Sequence, residues 1–217
     1  MGGLLAAGFA TTRVASAAEG GDSVPTMLNL AATAEAFAVT HVYSALTRRT
    51  FNLNPAEELQ LKIILDAELQ HLNLIQANGG QPLTLNFFTP NGLYNSRRRF
   101  AEVTANVETT CTGAYLAATR RFADLGNPRI AATMAQLAAN EAQHIATARE
   151  LLNVVPSDNA WLPPLFFNVS DAGPVLAPFF NGGEGFSGPV AFPGRDAVLA
   201  VLGDVRAIVY PTYINTF

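Results

Sequence analysis

The chain is poor in the residues on which much protein chemistry depends. Its 217 positions hold a single cysteine, Cys111, which excludes an intrachain disulfide and any thiolate cluster for zinc or iron–sulfur. There is one lysine against twelve arginines. Charged residues make up only 14% and the net charge is −4, so nothing draws the chain to nucleic acid as a partner. The short Arg97-Arg98-Arg99 run reads as a solvated face near a helix start. No apolar run approaches the roughly 20 residues of a membrane-spanning helix, and no membrane span is expected. Histidine is scarce too, occurring only at 41, 71 and 144.

What the chain does have is apolar bulk. Nearly half its residues are hydrophobic, 49%, and the length is enough for one well-buried core with an appended segment. Residues 1–24 form an apolar N-terminal arm or signal-like segment. Within it, Leu4 to Ala10 followed by Ala15-Ser16-Ala17 resembles the apolar stretch and small-residue cleavage site of an export signal. Only Met1-Gly2-Gly3 precede it, so the usual positive start is missing. The expectation is an exported protein, periplasmic or extracellular, with a cytoplasmic protein bearing a retained apolar arm as the alternative.

Four segments read as helices. The first runs from about Pro25 to Arg48, with Leu28, Ala32, Glu35, Val39, Val42 and Leu46 on one stripe. The second opens at Asn54-Pro55-Ala56-Glu57, where Asn54 can cap, Pro55 fits the first helical position and Glu57 can reach back to the cap. It stops at Asn78-Gly79-Gly80. The third spans about Ser96 to Leu125, and the fourth runs from Asn127-Pro128 to near Asn153. Short links make hairpins of helices one and two and of helices three and four. The link from Gly79 to Asn95 has 17 residues and reaches about 55 Å when extended. A 24-residue helix is only about 36 Å long. That link can therefore cross the bundle, giving an up-down-down-up arrangement over residues 25–153.

Residues 154–217 are different in kind. They hold eight of the thirteen prolines and seven of the fourteen phenylalanines, too apolar for a loose tail. A short helix near Arg195 to Leu202 and a strand-like Ala207 to Tyr213 are expected within an otherwise irregular C-terminal extension. This Pro/Phe-rich segment reads as a wrapping cover or a subunit contact. Together with the N-terminal arm it makes a homo-oligomer or larger assembly the expected state.

Into this apolar background the second and fourth helices each place Glu-x-x-His, as Glu68 with His71 and Glu141 with His144. With ten glutamates in the chain, two of three histidines acquiring a Glu three residues earlier by accident has a chance on the order of 1%. Residues three apart share one helix face, so each pair can grip an ion from one side. Glu35 lies on the apolar stripe of helix one and Glu108 in the middle of helix three. Counting through the hairpin turns brings all four glutamates to one level within about 4.5 Å of rise. Glu35 and Glu68 are 33 residues apart, as are Glu108 and Glu141. Four carboxylates meeting in an apolar interior without cations would each cost several kcal/mol. Two divalent cations balance them, and oxygen with imidazole suits iron or manganese. Elsewhere, His41 is about 120° off the Glu35 face and reads as a packing residue. Tyr115, seven after Glu108, reads as a packing residue, with hydrogen-bonding to a ligand or passing an electron as the alternatives. Cys111 reads as a small apolar filler.

Glu35, then Glu68-Leu69-Gln70-His71, then Glu108, then Glu141-Ala142-Gln143-His144 resembles the ferritin-like di-iron carboxylate pattern, in which two helices give single glutamates and two give Glu-x-x-His. Glu108-Thr109-Thr110-Cys111-Thr112-Gly113-Ala114-Tyr115-Leu116 and Asn140-Glu141-Ala142-Gln143-His144 further resemble the branch with plant desiccation-related proteins and their bacterial relatives. The resemblance implies an all-α, ferritin-like up-down-down-up four-helix bundle binding two divalent metal ions, iron or manganese. It implies that Glu68 and Glu141 bridge the metals, Glu35 and Glu108 are terminal ligands, and His71 and His144 each bind one metal. The implied activity is redox chemistry with O2 or peroxide by a di-metal oxidoreductase. The alternative is a structural, self-assembling or stress-protective protein using the bundle as scaffold. A long extension stands where cage-forming members carry a short fifth helix, which speaks against a storage cage, and no Cys-x-x-Cys electron-transfer module is present.

Overall fold

The structure is a computed structural model that describes residues 21–162 and 166–214. The expected N-terminal arm up to Gly20 lies outside the described residues. Four long helices form where the capping signals place them: α1, Val24–Arg48; α2, Pro55–Ala77; α3, Arg97–Asp124; and α4, Pro128–Leu151. Ser23 caps α1 by accepting from the Thr26 amide, and Asn54 with Glu57 completes a reciprocal capping box on α2. Ser96 and Asn127 cap α3 and α4. At the end of α2, Gly79 adopts φ +94 and Gly80 packs tightly enough that a Cβ would meet the Leu28 carbonyl at 2.8 Å. No side chain fits where α2 turns back over the start of α1.

The helix ends fix the direction of each rod. The beginning of α1 meets the end of α3, where Arg121 donates to the carbonyls of Gly21 and Asp22. The beginning of α3 meets the beginning of α2 through Arg97 and Glu57 at 2.5 Å, and the end of α4 through Arg97 and the Leu151 carbonyl. The bundle is therefore up-down-down-up and all-α in its architecture. The crossing link climbs α1, held by the Gln81 amide on Asn29 and the Leu83 amide on Thr33.

The core divides into two apolar lobes. One gathers Met27, Phe37, Ile75, Phe122 and Met134; the other gathers Val42, Leu61, Leu65, Phe100 and Leu151. Burying one such side chain contributes about 1.5–3 kcal/mol, so both lobes hold the rods together. Between them lies the layer containing Glu35, Glu68, Glu108 and Glu141.

The extension is more regular than its composition predicts. It contains α5, Gly173–Asn181; a strand, Phe186–Ala191; and α6, Arg195–Leu202, the last where the sequence places it. That strand (β2) pairs antiparallel with Asn86–Pro90 (β1) of the crossing link, Phe87 facing Val190 and Thr89 facing Ser187. The strand expected at Ala207–Tyr213 does not form. Among the described residues this segment finds no neighbouring strand, and the Ala207 amide instead donates to the Asp66 carboxylate at 2.8 Å. The extension encircles the bundle. Arg120 stacks on Phe167 at 3.7 Å, Phe179 and Phe180 pack on Phe37, and Val198 and Leu202 are buried against the second lobe. Among the described residues no helix is long and apolar enough to cross a membrane.

Candidate metal centre

Each of the six predicted ligands sits on the inward stripe of its helix, because a Glu-x-x-His on α2 or α4 and a single Glu on α1 or α3 share the register of the buried apolar positions. All six are buried, Glu68 and Glu141 to 1% exposure and His71, the most open, to 8%. Two overlapping groups result. Glu35, Glu68, His71 and Glu141 present one ligand atom each within 4.8 Å of one another, and so do Glu68, Glu108, Glu141 and His144. Glu68 and Glu141 belong to both.

Both imidazoles turn Nδ1 toward the carboxylates. His71 Nδ1 lies 3.2 Å from Glu141 and 3.5 Å from both Glu35 and Glu68. His144 Nδ1 lies 2.7 Å from Glu68 and donates to Glu141 at 3.0 Å. The two rings stack at 6.1 Å and 24°. Most of the close approaches lack hydrogen-bond geometry. Glu35 Oε2, both oxygens of Glu68, Glu141 Oε1 and His71 Nδ1 are buried with no hydrogen-bond partner. Orphaned polar atoms are costly in an interior, and so many converging on one point could be satisfied by a bound cation.

The electrostatics agree. Burial, then the charges of Glu68 and Glu141, hold the carboxyls of Glu35 and Glu108 well above the usual range. Burial also opposes ionisation of Glu68 and Glu141. The histidine contacts nevertheless win at both, holding Glu68 well below its ordinary value and Glu141 below it. The carboxylates in turn overcome burial at His144 and raise it to about 10, and His71 moves the same way. These directions favour charge on Glu68, Glu141 and both histidines and oppose it on Glu35 and Glu108. Two divalent cations, four carboxylates and two neutral imidazoles are together neutral, so the donor set fits two metal ions.

Around this cluster, Tyr115 donates its hydroxyl to Glu35 Oε1, so it is a hydrogen-bond partner of a candidate ligand as well as a packed ring. Cys111 is buried one turn from Glu108, and burial, then Glu108, pushes its thiol up. His41 stays outside the cluster. It stacks on Phe37 and Phe100 and bonds Tyr94 and Thr104. The Thr104 hydroxyl already donates to the Phe100 carbonyl, so His41 Nε2 carries the proton and Nδ1 accepts from Tyr94. The outer edges of His71 and His144 line a groove of about 1310 Å³ between α2 and α4, flanked by residues 206–212. That groove has no local signal in the helices that form it, because its far wall comes from the extension.

The sequence model of a family described as a ferritin-like domain matches residues 23–154, more than half of the chain. No curated protein matches the chain.

Proposed function

The chain belongs to the ferritin-like domain family, and from that premise we propose that it binds a pair of divalent iron or manganese ions for redox chemistry with dioxygen or peroxide. Glu35, Glu68, His71 and Glu141 hold one ion; Glu68, Glu108, Glu141 and His144 hold the other. Such a pair supplies reversible one-electron steps and a Lewis-acidic place for an oxidant. The observation that carries the reading is the overlap of two buried four-ligand groups through Glu68 and Glu141.

The chain's own residues do the rest. Glu68 and Glu141, shared by both groups, fix the spacing of the pair. The histidines offer neutral Nδ1 donors once their protons leave. Tyr115 holds one oxygen of Glu35, which leaves Oε2 to face the cluster. The two apolar lobes keep water away and so strengthen every charge interaction between them.

Anaerobic titration of metal-free protein with ferrous or manganous ion tests this. Uptake is expected to saturate near two ions per chain, followed by oxygen consumption when air is admitted. Saturation without any reaction toward dioxygen or peroxide would contradict the redox role and leave a structural metal.

A further inference from the structure

A second cavity lies on the opposite side of the bundle from the α2–α4 groove, and it is apolar. It is a partly open pocket with about 30 Å³ of space, room for a molecule the size of water or a diatomic gas. Small side chains create it, Ala31 and Ala34 on α1 facing Ala114 and Ala118 on α3. The extension covers it in part with Val169, Ala172, Leu176 and Phe180. These roof residues lie beyond the part of the chain that matches the family. The inner wall includes Tyr115 and Cys111. Tyr115 is the residue whose hydroxyl rests on Glu35, so the cavity ends one side chain away from the carboxylate cluster.

We infer that this cavity is a binding site for dioxygen, and that dioxygen rather than peroxide is the oxidant the protein admits from this side. The inference rests on the di-metal reading above and adds the identity of the oxidant. A water molecule needs two to four polar partners to stay in a cavity, and hydrogen peroxide, with two hydroxyls, needs as many. The lining offers almost none. The Tyr115 hydroxyl is committed to Glu35, and a thiol such as that of Cys111 is a weak donor and acceptor. Dioxygen requires no hydrogen bond and gains contact with the surrounding methyl and aromatic groups. Apolar cavities stay dry and take apolar atoms instead. The roof gives the extension a task in the chemistry of the bundle, since it makes one wall of the chamber.

Xenon, an apolar atom of similar size, is the direct probe. Xenon-pressurised crystals or xenon NMR of the full chain, with and without metal, are expected to show one site bounded by Ala114, Tyr115 and Leu176. Two variants fill it from different sides, Ala114→Leu from the bundle and Leu176→Trp from the roof, so that misfolding of one leaves the other to decide. Each is expected to abolish xenon binding. In iron-loaded protein each should lower the ratio of dioxygen-driven to peroxide-driven ferrous oxidation roughly tenfold, the scale of about 1.4 kcal/mol. Absence of xenon from the wild-type cavity would overturn the inference while leaving the metal centre standing. Xenon binding with an unchanged oxidant ratio in both variants would overturn the assignment to dioxygen. Failure to take up iron at all would instead overturn the metal reading, and this inference with it.

Discussion

At the scale of single residues, the chain separates two kinds of buried histidine by what surrounds them. His71 and His144 face carboxylates and are driven toward the charged form; His41 faces aromatic rings, a threonine and a tyrosine. Its burial pushes it down to about 3 from an ordinary 6.5, against the opposing charge of Glu68. The folded state thus refuses a proton that the unfolded chain accepts. The stability due to neutral His41 is whole above pH 6.5 and is lost as pH falls from 6.5 toward 3, at about 1.4 kcal/mol per pH unit. Denaturant unfolding across that range should show a steeper loss in the wild type than in His41→Gln; equal slopes would contradict the neutral assignment. The ligand histidines lead to a different expectation. Metal ligation needs ionised carboxylates and neutral imidazoles, so uptake displaces protons and apparent affinity rises with pH. In weakly buffered solution an indicator dye should record protons released as the ions bind. Uptake without acidification would show that the cluster is already deprotonated.

At the scale of elements, the four helices were legible because several independent signals coincide at their ends. Asn54-Pro55 with Glu57 and Asn127-Pro128 mark two starts, and Asn78-Gly79-Gly80 marks a stop; the observed helices lie within about two residues of those marks. The six clustered side chains were legible for a related reason, since Glu-x-x-His against an apolar stripe is locally improbable. The strands were not. β2 contains Gly188-Pro189, a pair that normally argues against a ladder, and its partner lies about a hundred residues earlier, in the crossing link. The helix α5 hides in the same way behind an internal Pro178. Ala207–Tyr213 erred in the other direction, since β-branched and aromatic residues describe a pleated surface but cannot supply the neighbour a strand requires. Phe37 ties these elements to the bundle through Phe87, Phe179 and Phe180. Phe37→Ala should cost about 3–5 kcal/mol and speed hydrogen exchange at the β1 and β2 amides. An unchanged exchange pattern would show that the extension does not depend on this contact.

At the scale of the whole molecule, the bundle supplies the centre and the extension supplies its enclosure. The extension also carries the most exposed large apolar groups among the described residues. Trp161 is 80% exposed, and Ile208, Val209 and Tyr210 are 78, 70 and 72% exposed. Exposed apolar groups gathered on one segment mark an association surface. Sedimentation should therefore show a homo-oligomer that Ile208→Asp with Tyr210→Asp converts to monomers without loss of bound metal. Identical sedimentation of the variant would remove the extension from any role in assembly. Metal should stabilise the assembled fold as any ligand of the native state does, by about 4 kcal/mol at a thousandfold excess over its dissociation constant. Chelation should lower the melting temperature accordingly. A melting curve unaffected by chelation would mean that the centre holds no metal.

The proposed function depends on whether the carboxylate cluster holds metal, and elemental analysis answers that most directly. Protein purified without added metal or chelator should carry about two iron or manganese ions per chain, matching the two overlapping ligand groups. The double variant Glu68→Ala, Glu141→Ala, which removes both shared carboxylates, should carry none. Wild-type protein that holds no metal, and takes up none on reconstitution, would contradict the account and leave the bundle a scaffold.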